Sequence, residues 1–278
     1  MDTKKITTAV IREMKEQGEP VTMVTAYDVA MARNADEAGI EILLVGDSVG
    51  NVMLGYPSTV PVTMDEMIHH TKAVMRANPR ALVVGDMPFM SYQADEAEGL
   101  RNAGRFLKET GCGAVKLEGG AEIAPLVKKM VTAGIPVCGH IGLTPQSVNT
   151  MGGFKVQGRD VAAARKLLAD AKALEEAGCF AMVLECVPAA LAARVTKELA
   201  TAVSIGIGGG NGCDGQVLVC NDLLGISDGF TPKFVKKYAN LHGQIVDAFR
   251  AYSIEVKSRA YPDEEHSFSI DESVLKEL

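Results

Sequence analysis

Eight short aliphatic runs, helical patterns between most of them, and glycines that stop those helices just ahead of the next run predict a closed (β/α)8 barrel, that is, a TIM barrel. The first four runs are "VTMVTAY" (21–27), "ILLVGDS" (42–48), "ALVVGDMP" (81–88) and "AVKLEGG" (114–120). The other four are "PVCGHIG" (136–142), "AMVLECV" (181–187), "VSIGIGGG" (203–210) and "VLVCNDLLG" (217–225). Each is bounded by Gly, Pro or polar residues, as strands covered on both faces by helices should be. Between them, "TMDEMIHHTKAVMRA" (63–77) opens with Thr63 and Glu66 at capping-box spacing. It stops before Asn78-Pro79, because the residue ahead of a proline leaves helical space. The pattern over 160–178 starts at Asp160, a good N-cap, and ends at Gly178. Gly39, Gly111 and Gly134 mark the same stop elsewhere. The link "NGCDGQ" between the last two runs is too short for a full helix. A doubly wound open sheet, the competing architecture, wants a dinucleotide fingerprint after its first strand, and "TAYDVAMA" offers none. An N-terminal helix precedes the first strand and is placed to plug the barrel's bottom. Residues 230–259 read as a C-terminal closing helix, followed by a polar tail to Leu278. The reading is a single barrel domain over 1–278.

Composition narrows the function. The chain has 278 residues, 47% hydrophobic and 23% charged, ordinary for a soluble globular protein and long enough to bury a sizeable core. A net charge of −7 without a basic stripe argues against nucleic acid, whose phosphates need clustered Lys and Arg. Cys112, Cys138, Cys179, Cys186, Cys213 and Cys220 are scattered with no C-x-x-C pair, which suits a reducing compartment better than disulfides or zinc. The N-terminus lacks a signal-peptide core, and no segment approaches the roughly 20 apolar residues of a membrane span. The expectation is a cytoplasmic protein with no membrane or nucleic-acid partner.

The polar residues fall at the C-terminal ends of the predicted strands, the face on which such barrels carry their chemistry. Asp47 and Ser48 end the second run, Asp86 the third, Lys116 and Glu118 the fourth, His140 the fifth and Glu185 the sixth. Lys116 and Glu118, two apart, leave their strand on one face. Asp47, Asp86 and Glu118 would repel unless a cation joined them, and Mg²⁺ fits a sparse, all-oxygen set. His69 and His70, adjacent on a helix, point in different directions and do not make a zinc site. His140 reads either as a satisfied core histidine or as a residue orienting a substrate. Glu185, set among aliphatic residues in "VLECVP", is the candidate general base. The run "SIGIGGGNGCDGQ" (204–216) does not fit G-x-G-x-x-G, and tight turning explains its glycines.

The stretches "VGDSVGNVMLGYPSTVPVTMDEM", "VVGDMPFMSY", "AVKLEGG", "GHIGLTPQS", "GGFKVQGRD", "LECVP" and "CDGQVLV" together resemble the ketopantoate hydroxymethyltransferase family. The resemblance runs from "TAYD" (25–28) to "EHSF" (265–268). Departures are modest: Tyr56 stands where the family often has His, and "GIGGG" replaces a commoner Gly-Ala-Gly. The resemblance implies a (β/α)8 barrel that binds Mg²⁺, assembles into large homo-oligomers, typically decamers, and serves pantothenate and coenzyme A synthesis. Its substrates would be 3-methyl-2-oxobutanoate and 5,10-methylenetetrahydrofolate. Carried over by position, Asp47 and Asp86 would bind metal and the oxo acid, and Glu118 would be a further carboxylate of the metal site. Ser48 and Lys116 would contact the substrate's carboxylate and oxo group, His140 would lie near it, and Glu185 would accept the proton. Two rivals remain. One is a Mg²⁺-dependent lyase or mutase of the isocitrate lyase and phosphoenolpyruvate mutase kind, whose cysteine-bearing loop has no equivalent here. The other is a catalytically silent, metabolite-binding barrel, which would lack a member of the rim set.

Overall fold

Parallel pairing joins each strand to its neighbour in sequence, and the first to the last, so the sheet closes on itself. The strands are β1 (Val21–Thr25), β2 (Ile42–Val45), β3 (Leu82–Asp86), β4 (Ala114–Lys116), β5 (Val137–Gly142), β6 (Ala181–Glu185), β7 (Val203–Ile207) and β8 (Gly215–Leu218). Closure is explicit in the register: Met23 faces both Ile42 of β2 and Val217 of β8. The structure, a computed structural model, describes residues 4–278. Two compact units emerge, one holding the residues up to Cys220 together with Thr231–Val235, the other Asn221–Phe230 together with Lys236–Leu278.

The local signals act as the sequence predicts. Helix Met64–Met75 carries a complete capping box between Thr63 and Glu66. In helix Val161–Ala177 the Asp160 carboxylate caps the Ala163 N–H and Gly178 closes the last turn at φ 103°. Gly39, Gly111 and Gly134 also stop their segments at positive φ, where a side chain would strain the backbone. No helix separates β7 from β8. Two expectations shift. The run over 217–225 is a strand only to Leu218, and Cys220–Leu224 coils into a short helix, in keeping with the poor strand fitness of Asn221 and Asp222. The closing helix spans Leu241–Ser258 rather than 230–259, starting after Asn240, a residue type that favours the position ahead of a helix's first turn.

Alternation along the strands builds the barrel's interior. Ile42 and Leu44, Leu82 and Val84, Ala114, Cys138, Ala181 and Val183, and Val203 and Ile205 form one buried cluster, with Val21, Met23 and Val217. Helix Thr8–Gln17 adds Ile11, and the turn before it adds Ile6, to that cluster. The helix is pinned by Lys15 Nζ, 2.7 Å from Asp214 Oδ2, an oxygen that also accepts from Ser204 N–H at 2.8 Å. The N-terminal end of the barrel is therefore sealed by packing, and two residues beyond Val84, Ala114, Cys138 and Val183 the same inward columns reach Asp86, Lys116, His140 and Glu185. Since Ile11 is fully buried in this plug, Ile11→Ala is expected to cost about 2–5 kcal/mol, read as a lower urea midpoint at unchanged slope.

Candidate active site

Asp86 and Lys116 are register partners on adjacent strands, so their side chains rise side by side from the barrel floor. Asp86 Oδ1 lies 2.8 Å from Lys116 Nζ, an ion pair with both residues almost completely buried. At that separation the ammonium can turn an N–H onto Oδ1, a charge-assisted contact. The other oxygen, Oδ2, accepts the Asp47 N–H at 3.0 Å. Asp47 thus sits in the turn just past β2 with its backbone tied to Asp86 and its carboxylate 5% exposed. Ser48, next in the chain, shares a 2.8 Å hydrogen bond with the buried Tyr27 hydroxyl.

His140 connects this group to Glu118 and Glu185. Its Nδ1 lies 3.2 Å from Lys116 Nζ and 3.5 Å from Glu118 Oε1, and its Nε2 is 3.2 Å from Glu185 Oε2. The Lys116 contact is a hydrogen bond only in a neutral ring whose Nδ1 carries no proton; in the charged ring both nitrogens are donors, facing Glu118 and Glu185. Gly142 fixes the Glu185 side of this arrangement. It is the register partner of Glu185 and holds φ 92°, and a Cβ there would stand 2.3 Å from the Glu185 carbonyl oxygen. The carbonyl instead accepts from Leu143 N–H at 2.9 Å.

Charge is unevenly shared. Burial pushes Asp47 well above the usual carboxylate range, and the neighbouring Asp86 and Glu118 push the same way. Burial also raises Asp86, although Lys116 pulls against it. For Glu118, burial is outweighed by His140, Lys116 and the Gln146 N–H, and the group stays below its ordinary value. Burial opposes the Lys116 ammonium, yet Asp86, Glu118 and Asp47 together raise it. Burial and Lys116 lower His140, but Glu118 and Glu185 prevail and push it up to about 9.

All the rim residues expected from the sequence lie at this one end of the barrel, and Asp47, Asp86, Lys116, Glu118, His140 and Glu185 form a single connected cluster. They do not all converge on one point. Among the described residues no three of His, Cys, Asp and Glu converge on one point as metal ligands. Asp47 and Asp86 lie together, whereas Glu118 directs Oε2 to the Gln146 N–H at 3.0 Å and Oε1 toward His140. Two residues outside the expected set complete the cluster: Gln146, whose Nε2 donates to Asp47 Oδ2 at 2.9 Å, and Tyr92, whose hydroxyl accepts from Glu118 N–H at 3.0 Å. Both stand within the quoted stretches "GHIGLTPQS" and "VVGDMPFMSY", but in loops, where strand periodicity carries no signal. The cluster fits a divalent cation on its donor chemistry: two buried carboxylates brought together by the Asp47 N–H on Asp86, both pushed above their normal range, suit an ion that takes one or two carboxylates and completes its shell with water and substrate oxygens.

The chain matches the family model for ketopantoate hydroxymethyltransferase over residues 5–264. The 3-methyl-2-oxobutanoate hydroxymethyltransferase of Syntrophus aciditrophicus is 63% identical over 265 residues, covering 95% of this chain and 97% of the relative. That of Carboxydothermus hydrogenoformans is 60% identical over 274 residues, covering 99% of each. Among solved structures, 2,3-dimethylmalate lyase, a PEP mutase/isocitrate lyase superfamily member, aligns at TM-score 0.60 and 16% identity over 94% of this chain and 91% of that one. Phosphonopyruvate hydrolase in complex with oxalate and Mg²⁺ aligns at TM-score 0.59 and 10% identity, covering 93% and 92%. At those identities the two structures share the fold, and nothing is drawn from them about the reaction.

Removing Lys116 strands Asp86 and Glu118 in a buried site. Lys116→Met is therefore expected to lose about 3–5 kcal/mol of unfolding free energy, and pairing it with Asp86→Leu to recover part of that loss in urea titrations. Equal destabilisation by the single and double variants would contradict the ion pair's place in the balance.

Proposed function

Because the chain belongs to the ketopantoate hydroxymethyltransferase family and is a transferase, we propose that it moves a one-carbon unit from 5,10-methylenetetrahydrofolate to C3 of 3-methyl-2-oxobutanoate. Water supplies the hydroxyl, and the products are 2-dehydropantoate and tetrahydrofolate, within pantothenate synthesis. The observation that carries this reading is the single buried cluster in which Glu185, a carboxylate with its side chain 15% exposed, faces His140 beside Lys116 and the Asp47–Asp86 pair.

Asp47 and Asp86 would hold Mg²⁺, which when bound supplies Lewis-acid stabilisation of negative charge on the substrate's 2-oxo oxygen. Lys116 Nζ adds a fixed positive charge to receive the oxo acid's anion, at full strength because water is excluded from the floor of the site. Ser48 Oγ, oriented by the Tyr27 hydroxyl, offers a hydrogen bond to the substrate carboxylate. Glu185 Oε2 takes the proton from C3. His140, drawn toward its charged form by Glu118 and Glu185, faces that oxygen with Nε2 at 3.2 Å and Glu118 with Nδ1, and so fixes the direction of the Glu185 carboxylate. Glu118, fixed by His140 and Gln146, keeps this ring in place and adds negative charge at the edge of the ion's site.

No disulfide joins any of the six cysteines, which supports a reducing, cytoplasmic setting, and no helix of the described residues is long and apolar enough to cross a membrane. Helix Leu241–Ser258 buries none of its residues and exposes Phe249, Tyr252 and Ile254, which supports assembly into a homo-oligomer. By family resemblance that assembly is a decamer.

Deuterium exchange at C3 of the oxo acid separates the steps. Asp86→Ala is expected to abolish the Mg²⁺-dependent exchange. Glu185→Gln is expected to slow it about 10²–10⁴-fold while leaving binding of the oxo acid in place. Exchange at the native rate in Glu185→Gln removes that residue as the base. Incubation with Mg²⁺, the oxo acid and methylenetetrahydrofolate tests the transfer itself, through loss of the folate's one-carbon unit. Cleavage of the oxo acid without folate would point to a lyase, and binding without turnover to a silent barrel.

A further inference from the structure

Gln146 is 3% exposed, lies in the short turn Pro145–Ser147 after β5, and is none of the reacting groups assigned above. Its side-chain amide has every hydrogen-bonding position engaged. Nε2 donates to Asp47 Oδ2 and to the Met87 carbonyl, each at 2.9 Å. Oε1 accepts from the Tyr92 hydroxyl at 2.9 Å and from Gln93 Nε2 at 3.2 Å. The backbone N–H of the same residue donates to Glu118 Oε2 at 3.0 Å. One residue thus grips both Asp47 and Glu118.

The orientation of that amide is determined by its neighbours. Rotated by half a turn, its oxygen would confront the Asp47 carboxylate and the Met87 carbonyl, acceptor against acceptor, so only the observed direction satisfies the group. Tyr92 enforces the same choice from the other side. Its hydroxyl accepts the Glu118 N–H at 3.0 Å and has one proton to give, with Gln146 Oε1 at 2.9 Å and the Glu118 carbonyl at 3.0 Å within reach. The chain of contacts runs from the loop after β3, through Tyr92 and Gln146, to carboxylates that follow β2 and β4. A neutral amide suits this place, since it directs an anion without adding a charge that would compete with a cation.

We propose that Gln146, held in one orientation by Tyr92, is a positioning residue that sets the direction of the Asp47 carboxylate, and its placement relative to Glu118, for a divalent cation. The inference rests on the reading above in taking the Asp47–Asp86 pair as the cation's seat. It adds that the seat is shaped by a residue touching neither the ion nor the oxo acid.

The test is calorimetric titration of Mg²⁺ alone into the full-length protein, with circular dichroism to establish folding. Gln146→Met keeps the size of the side chain and removes both donors, and is expected to weaken Mg²⁺ binding about 10–100-fold. Tyr92→Phe keeps those donors but releases the amide, and is expected to weaken binding less. Unchanged Mg²⁺ affinity in folded Gln146→Met overturns the inference. If Gln146→Met does not fold, Tyr92→Phe decides alone, and native affinity in it is the overturning result. Asp86→Asn tells the two levels apart. Loss of the ion in Asp86→Asn with native affinity in Gln146→Met removes only the role of Gln146, whereas a wild-type protein that takes up no Mg²⁺ removes the metal reading and this inference together.

Discussion

The site depends on a lysine that is buried against carboxylates. Lys116 cannot give up its contacts cheaply, for an ammonium in the interior of a barrel is costly unless anions surround it. Asp86 meets it because parallel pairing sets the two residues in register, and His140 meets it because Lys116 pairs with Cys138 two residues below. The balance nevertheless remains negative. Asp47, Asp86 and Glu118 bring three carboxylates to one lysine, with a histidine that Glu118 and Glu185 draw toward its charged form. In the proposed reading a divalent cation would offset that deficit at Asp47 and Asp86, where burial raises both groups, rather than at Glu118, which protein donors already satisfy.

The same alternation serves stability and chemistry. Along each strand the inward residues begin as a hydrophobic column at the end plugged by helix Thr8–Gln17, and several of those columns end in a charged residue at the other. A slip of one residue in a strand would turn both the core residue and the ionisable one away from the interior. Packing at the floor and geometry at the rim are therefore one constraint, which explains how a site built from five separate strands or their loops keeps its spacing.

Much of this was legible in the chain. Eight aliphatic runs, the Thr63–Glu66 capping box and the four helix-ending glycines each act over a few residues, and local chemistry of that kind survives folding unchanged. The ionisable rim was legible for the same reason, since a charge at the end of a hydrophobic run is a local anomaly. Gln146 and Tyr92 were not. Neither lies in a strand, neither carries a charge, and their meaning arises only when loops after different strands are brought together. The direction of Glu118 was hidden too, because its partners are a main-chain N–H from another loop and a ring from another strand. The early end of β8 and the late start of the closing helix reflect competition between segments, which no window of sequence contains.

Gly142 has a bearing on how such an enzyme can change. Gly142, the last residue of β5, rests against the carbonyl of Glu185, the proposed base, with no room for even a methyl group between them. The spacing between the strands that carry His140 and Glu185 is thereby written into peptide geometry rather than into side chains that drift. Variation can rework the loops above, and with them the choice of substrate, while the spacing that moves the proton is inherited intact.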